Sequence, residues 1–183
     1  MKTNIRHFLH KRYTGLVLSL LAVTIVTVAV ASCTVSLSLN GSNINYDKVK
    51  TISINKFPIR SNYVWAPMEA MFYNSITDKY AQRTKLQIVK RNADLQLEGE
   101  IIEYSQTNKS ISSDGFSSQT QLKMTVNVRF KNNTNHSEDF ERTFSATTEY
   151  DSKLQLTSVQ DQLVQEMTDQ IIDQIFNATV ANW

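Results

Sequence analysis

Residues 121–130, QLKMTVNVRF, alternate without a break: Leu122, Met124, Val126, Val128 and Phe130 occupy every second position, with polar residues between them. Successive side chains of a strand point to opposite faces, so this period of two specifies a strand with one face in a core and the other in water. Such a sheet needs a second layer over its apolar face. Residues 139–150 repeat the pattern with Phe144, Ala146, Thr148 and Tyr150, and the intervening KNNTNHSE has the composition of a hairpin turn. Upstream, residues 94–104 alternate Leu95, Leu97, Gly99 and Ile101 until the doublet Ile101-Ile102 shifts the phase to Ile102 and Tyr104. A glycine beside a phase shift predicts a β-bulge. The Ser-rich stretch 105–118, with its Asp114-Gly115 step, predicts a long flexible hairpin tip.

The covering layer is legible as two amphipathic helices. Pro67 suits a first helical turn, and Met68, Phe72, Ile76 and Tyr80 follow at i, i+4 spacing with Met71 beside them. Thr157-Ser158-Val159-Gln160 fits a capping box, from which a second helix should run to about Val180. Its stripe is Leu156, Val159, Leu163, Met167, Ile171 and Ile175, widened by Val164, Ile172 and Phe176. Residues 49–57 (VKTISINKF) read as a first strand ended by Pro58, and Leu86–Val89 as a short apolar run. The order β-α-β-β-β-α predicts an α+β, two-layer sandwich, two helices packed on one face of a mixed four-stranded sheet. The first strand and the strand after the first helix would be parallel through a right-handed crossover, the rest antiparallel.

The chain ahead of this domain has a different character. Lys2, Arg6, Lys11 and Arg12 precede the uncharged apolar run Gly15–Val30, and the small residues Ala31-Ser32 precede Cys33, the one cysteine. A basic segment, an apolar segment and a small-residue cleavage site describe an export signal. The apolar run is shorter than the roughly 20 residues of a spanning helix and has no basic stop beyond it. A lone cysteine in an exported chain has no disulfide partner. Acylation at Cys33 resolves that, and several acyl chains on one residue suffice for stable anchoring. Residues 1–32 are therefore read as a removed lipoprotein signal, 33–47 as the lipidated cysteine and a flexible tether, and 48–183 as one domain.

Charge and composition exclude several functions. Four of the 19 basic residues and none of the 17 acids precede Cys33, so residues 33–183 carry 15 cations against 17 anions. The basic balance of the whole chain comes from the leader and gives no reason to expect nucleic acid. His136 is the one histidine after Cys33 and falls in the hairpin turn, so neither a zinc site nor a catalytic histidine is expected. No nucleophile elbow, H-E-x-x-H or glycine-rich phosphate loop occurs. Asp94, Glu98 and Glu100 share a strand parity opposite to Leu95, Leu97 and Ile101, which makes them a solvated face rather than a catalytic pair. No enzyme activity, cofactor or metal is expected. Tyr63 and Trp65 either cap the sheet or form an exposed aromatic contact. Lys79, Arg83, Lys85, Lys90 and Arg91 cluster around the end of the first helix. Cations suit a helix C-terminus and keep a surface soluble; the alternative is a patch for an anionic, phosphate-bearing ligand.

The Val30-Ala31-Ser32-Cys33 lipobox, the element order and the strings DLQLEGEIIEY (94–104), MTVNVRFKNN (124–133), DFERTFSATTEYD (139–151) and QIIDQIFNATVANW (170–183) resemble the lipopolysaccharide-assembly lipoproteins of the LptE family. The resemblance spans nearly all of residues 33–183. It implies a lipoprotein of the outer membrane facing the periplasm, seated as a plug in a large β-barrel partner, LptD, and assisting insertion of lipopolysaccharide into the outer leaflet. A lipopolysaccharide contact at the basic cluster is a reading of its charge, with no counterpart carried over from the family. Thr34, rather than Asp, after the cysteine resembles the pattern sorted to the outer membrane. Other envelope accessories of the barrel-assembly or secretin-pilot type share the same general build, without lipopolysaccharide contact. Cys33→Ala should leave an unprocessed or soluble periplasmic protein, and intact-mass analysis checks it: a mature chain without acyl groups on Cys33 refutes the anchor.

Overall fold

The computed structural model describes residues 44–109 and 119–181. The leader, Cys33, most of the tether and the Asp114-Gly115 tip lie outside the described residues. Strand β4 (Gln119–Asn132) realises its alternation in full: Leu122, Met124, Val126, Val128 and Phe130 are at most 1% exposed. It pairs antiparallel with β3 (Leu95–Asn108) on one side and with β5 (Phe140–Asp151) on the other. β3 runs further than expected, since residues 105–108 stay paired with 120–123 instead of joining the tip.

Strand β1 (Thr51–Ile54) lies parallel to β3, and β2 (Gln87–Ile88) lies parallel to β1 on its far side. The sheet order is β2-β1-β3-β4-β5. The sheet thus has five strands, not four. The added strand is held by backbone bonds, with the Gln87 and Val89 amides donating to the Lys50 and Ile52 carbonyls at 2.9 Å each. Two exposed residues carry no period that side-chain patterning can register.

The predicted bulge is present. The β3–β4 register shifts between Ile101 and Glu103, leaving Ile102 as the extra residue, 41% exposed, while Ile101 and Tyr104 both stay buried. The nearby glycine has its own cause. After β1, the chain follows β3 without regular pairing: the Ile101 amide donates to Pro58 O at 3.0 Å and the Arg60 amide to Ile101 O at 2.8 Å. That path lays the fully buried Phe57 ring over Gly99, where a Cβ would strike the Asn127 carbonyl and come within 2.6 Å of the ring. Only glycine fits between them.

Helix α1 (Pro67–Arg83) has Pro67 at its first turn and buries Met68, Phe72, Ile76 and Tyr80 completely. Helix α2 (Leu156–Phe176) buries Leu163, Val164, Met167, Ile171, Ile172, Ile175 and Phe176, then passes into a π-helical turn, Asn177–Ala181. The helices lie side by side and parallel. Gln165 Nε2 donates to Ser75 Oγ at 3.2 Å, Lys79 pairs with Asp173 at 2.5 Å, and the Tyr80 hydroxyl bonds Thr179. Burial raises the pKa of Tyr80 strongly, so the hydroxyl stays protonated. The expected capping box does not form. Gln155 takes the N-cap position without a side-chain bond, and Ser158 Oγ donates to Gln155 O at 2.7 Å. Gln160 is instead buried, donating to the Tyr104 hydroxyl at 3.0 Å. A buried hydroxyl needs a partner, and that need outweighs a cap the solvent can replace.

Val126 is fully buried in the middle strand. Val126→Asp places an unpaired carboxylate there and should cost several kcal/mol of the roughly 5–15 kcal/mol that stabilises a domain. A thermal melt lowered by less than a few degrees would contradict this packing.

Candidate functional site

Both helices run from one end of the sheet to the other, so the molecule has two distinct ends. One carries residues 44–50 at the root of the expected tether, the α1 C-terminus, the β2–β3 turn and the β4–β5 hairpin; the other carries residues 61–66, the ends of β3 and β4 at Asn108 and Gln119, and the start of α2. Four of the five cations expected to cluster lie at the tether end. Arg83 is the last residue of α1, Lys85 follows it, and Lys90 and Arg91 sit on the turn after β2, where Asn92 takes a left-handed φ of 53°. All four are exposed, and Arg83, Lys90 and Arg91 make no ion pair among the described residues. Lys79 does not join them. It faces α2, paired with Asp173 and lying 5.7 Å from the Phe176 ring centre, so its work is to hold the helices together.

Backbone pairing brings two further cations to this end, Lys48 and Lys50, which patterning around residue 80 could not reveal. The Lys50 amide donates to Asp94 Oδ2 at 2.8 Å, joined by the Thr51 amide at 3.0 Å and hydroxyl at 2.9 Å. These bonds, the one from Lys50 first, hold the Asp94 carboxyl below its usual pKa. The Tyr46 hydroxyl accepts from the Lys85 amide at 3.3 Å, and Lys85 Nζ lies 5.8 Å from the Tyr46 ring centre. Residues 46–51 and 83–94 are thus stitched into one surface with six cations and two acids, Asp47 and Asp94. Beside it, Ile44, Asn45, Lys48, Asn135 and Glu138 border an open cleft of about 510 Å³.

The sheet face away from the helices is the second feature. Glu98, Arg129 and Glu141 stand in register across β3, β4 and β5. Arg129 pairs with Glu98 at 2.9 Å and Glu141 at 3.3 Å, and Asn127 donates to Glu141 at 2.8 Å. Further along, Glu103 accepts from Lys123 at 2.8 Å, Thr125 at 2.9 Å and Ser105 at 3.0 Å. The Lys123 contact is the main reason its pKa lies below the normal range, and for Glu141 it is the Asn127 bond. Each exposed pair adds little to stability; together they make a polar, ordered surface. Of the three carboxylates that share a parity, Glu98 pairs with Arg129 across the strands, Asp94 accepts the Lys50 and Thr51 amides, and Glu100 pairs with Arg60 at 3.5 Å.

At the far end Tyr63, 47% exposed, stacks on buried Tyr104 with ring centres 5.3 Å apart, while Trp65 packs partly buried against the core. Burial lifts the Tyr104 pKa to about 12. His136 is exposed in the hairpin turn and bonds Asp139 at 3.0 Å. Among the described residues no cluster of His, Cys, Asp or Glu could hold a metal ion, and no helix is long and apolar enough to cross a membrane.

The described residues thus form a two-layer α+β sandwich with a polar outer sheet face and a cationic end. Residues 49–179 match the family described as LptE, lipopolysaccharide-assembly, and the chain belongs to that family. Among solved structures it is similar to rare lipoprotein B from Shewanella oneidensis, at 14% identity and a TM-score of 0.49 over 69% of this chain and 92% of that one. It is also similar to protein CT253 from Chlamydia trachomatis, at 12% and 0.49 over 73% and 99%, and to lipoprotein B from Nitrosomonas europaea, at 12% and 0.42 over 69% and 79%. A comparison with curated protein sequences finds no match.

The lowered carboxyl groups fix the sign of acid sensitivity. Their contribution is present above the ordinary values of 3.8 for Asp and 4.5 for Glu and is lost as pH falls through the lower folded values. Asp94→Asn should therefore lose less melting temperature between pH 5 and pH 3 than the parent chain. Equal losses would place the acid sensitivity elsewhere.

Proposed function

We propose that this protein is a lipid-anchored accessory of lipopolysaccharide assembly, held in the outer membrane through Cys33, facing the periplasm and seated in the lumen of an LptD-type β-barrel. The observation that carries the reading is the family match over residues 49–179. The geometry supports it in kind. A barrel lumen is polar, and the Glu98–Arg129–Glu141 and Glu103–Lys123 contacts give the outer sheet face a polar surface whose side chains are already paired. Such a face can lie against a wet, polar wall without burying an unpaired charge. The cationic end supplies Arg83, Lys85, Lys90 and Arg91 as the groups to meet phosphates of lipopolysaccharide, by Coulomb attraction that salt screens.

Affinity purification of the tagged lipoprotein from outer membranes should recover a large β-barrel together with lipopolysaccharide. Recovery of a barrel-assembly machine or a secretin in its place would assign the chain to a different envelope accessory. For the lipid contact, the variant carrying Lys85→Ser, Lys90→Ser and Arg91→Ser should bind lipopolysaccharide more weakly than the parent at low salt, with an unchanged melt. Equal affinity at low and physiological salt would remove these residues from the contact.

A further inference from the structure

The tether and the cationic surface meet at one end of the domain. Tyr46 stacks under Lys85, Gln87 pairs with Lys50 and Asp94 clamps Lys50 and Thr51, so residues 46–51 of the anchor side and residues 83–94 form a single surface. We infer that this end is a membrane-docking face, which rests on the anionic phospholipid headgroups of the leaflet that holds the anchor before the domain takes its place in a barrel lumen. The inference rests on acylation of Cys33 as proposed above.

Three observations carry it. The first is charge segregation. Residues 44–51 and 83–94 hold Lys48, Lys50, Arg83, Lys85, Lys90 and Arg91 against Asp47 and Asp94, in a chain that carries 15 cations and 17 anions from Cys33 onward. Six cations against two acids leave this surface a formal charge of +4, with Asp94 as the ionised acceptor of the Lys50 and Thr51 amides. The other acids nearby, Glu138 and Asp139 of the β4–β5 turn, are engaged with Asn132, Asn135 and His136.

The second is reach. Ten residues lie between Cys33 and Ile44, and those eleven Cα–Cα steps span at most about 40 Å and on average about 17–20 Å if the chain behaves as a coil. The domain can touch the leaflet, and tether length alone does not force it to. A headgroup field decays over about 8 Å at physiological salt, so the anchor brings the cations within range and the charge then sets which way the domain faces. Polybasic segments beside a lipid anchor act in this manner.

The third is the opposite end, which carries no such cluster among the described residues. Its exposed large side chains are Tyr63, Val64 and Leu154. A domain docked by its cationic end points these away from the leaflet. The phosphate chemistry offered to lipopolysaccharide and to phospholipid is the same, and the geometry assigns phospholipid as the resting occupant because the anchor keeps that leaflet in contact range. Lipopolysaccharide would have to displace it.

The test uses the full chain, expressed with its leader, extracted from membranes and reconstituted into vesicles of phosphatidylcholine alone or mixed with phosphatidylglycerol. Lysine acetylation rates are read residue by residue by mass spectrometry. On anionic vesicles Lys48, Lys50, Lys85 and Lys90 should react several-fold more slowly than on neutral ones, and high salt should restore the rates. Lys123 and Lys153, distant along the sheet, serve as internal controls and should not change. A chain that is anchored but reacts alike on both vesicles overturns the docking face and leaves the anchor standing. Slowing produced on neutral vesicles by added lipopolysaccharide, without any effect of phosphatidylglycerol, overturns it in favour of lipopolysaccharide as the one occupant. A chain recovered without acyl groups and free of vesicles overturns both the anchor and the docking face.

Discussion

Alternate side chains of β4 face opposite solvents, and the whole molecule is arranged around that division. Leu122, Met124, Val126, Val128 and Phe130 are removed from water, while Lys123, Thr125, Asn127 and Arg129 between them stay at the surface. Burial of each large apolar side chain is worth about 1.5–3 kcal/mol, so both helices must lie on that face, and neither can leave without exposing it. Their parallel course, set by contacts from Ser75–Gln165 through Tyr80–Thr179, then sends both C-termini to the same end of the sheet. The cationic end and the polar outer face are products of the same one-sided burial.

What could be read from the chain was whatever repeats locally. The β4 alternation, the Met68–Phe72–Ile76–Tyr80 stripe, the Leu163–Ile175 stripe and the bulge beside Gly99 all leave a mark within a few residues, and all are present. β2 leaves none, because two residues held by the Lys50 and Ile52 carbonyls have no period. Gln160 was misread for a related reason. Its spacing from Thr157 imitates a capping box, while its partner Tyr104 lies 56 residues away. The candidate site shows the same limit. Arg83 to Arg91 stand out as a cluster, but Lys48 and Lys50 enter only through strand pairing, and Lys79 leaves only through a neighbour on the other helix.

Family membership and physical reading answer different questions here. The family match places the chain in lipopolysaccharide assembly; it does not say which surface meets what. The structure offers two surfaces of opposite design. The sheet face is crowded with paired charges, whereas Arg83, Lys90 and Arg91 make no ion pair among the described residues.

The placement of β1 bears on how such a chain closes its sheet. β3, β4 and β5 follow one another in a meander whose turns join neighbours in the sequence. β1 comes first in the chain, yet its partners lie far downstream: Thr51 pairs with Gln87 and Ile52 with Leu95. Closing a loop of that length costs more entropy than closing a hairpin turn. The seam between β1 and its two parallel neighbours therefore carries a larger closure cost than the turns of the meander. That seam lies immediately after the root of the tether, so the costliest pairing of the sheet falls in the part of the domain nearest the proposed lipid.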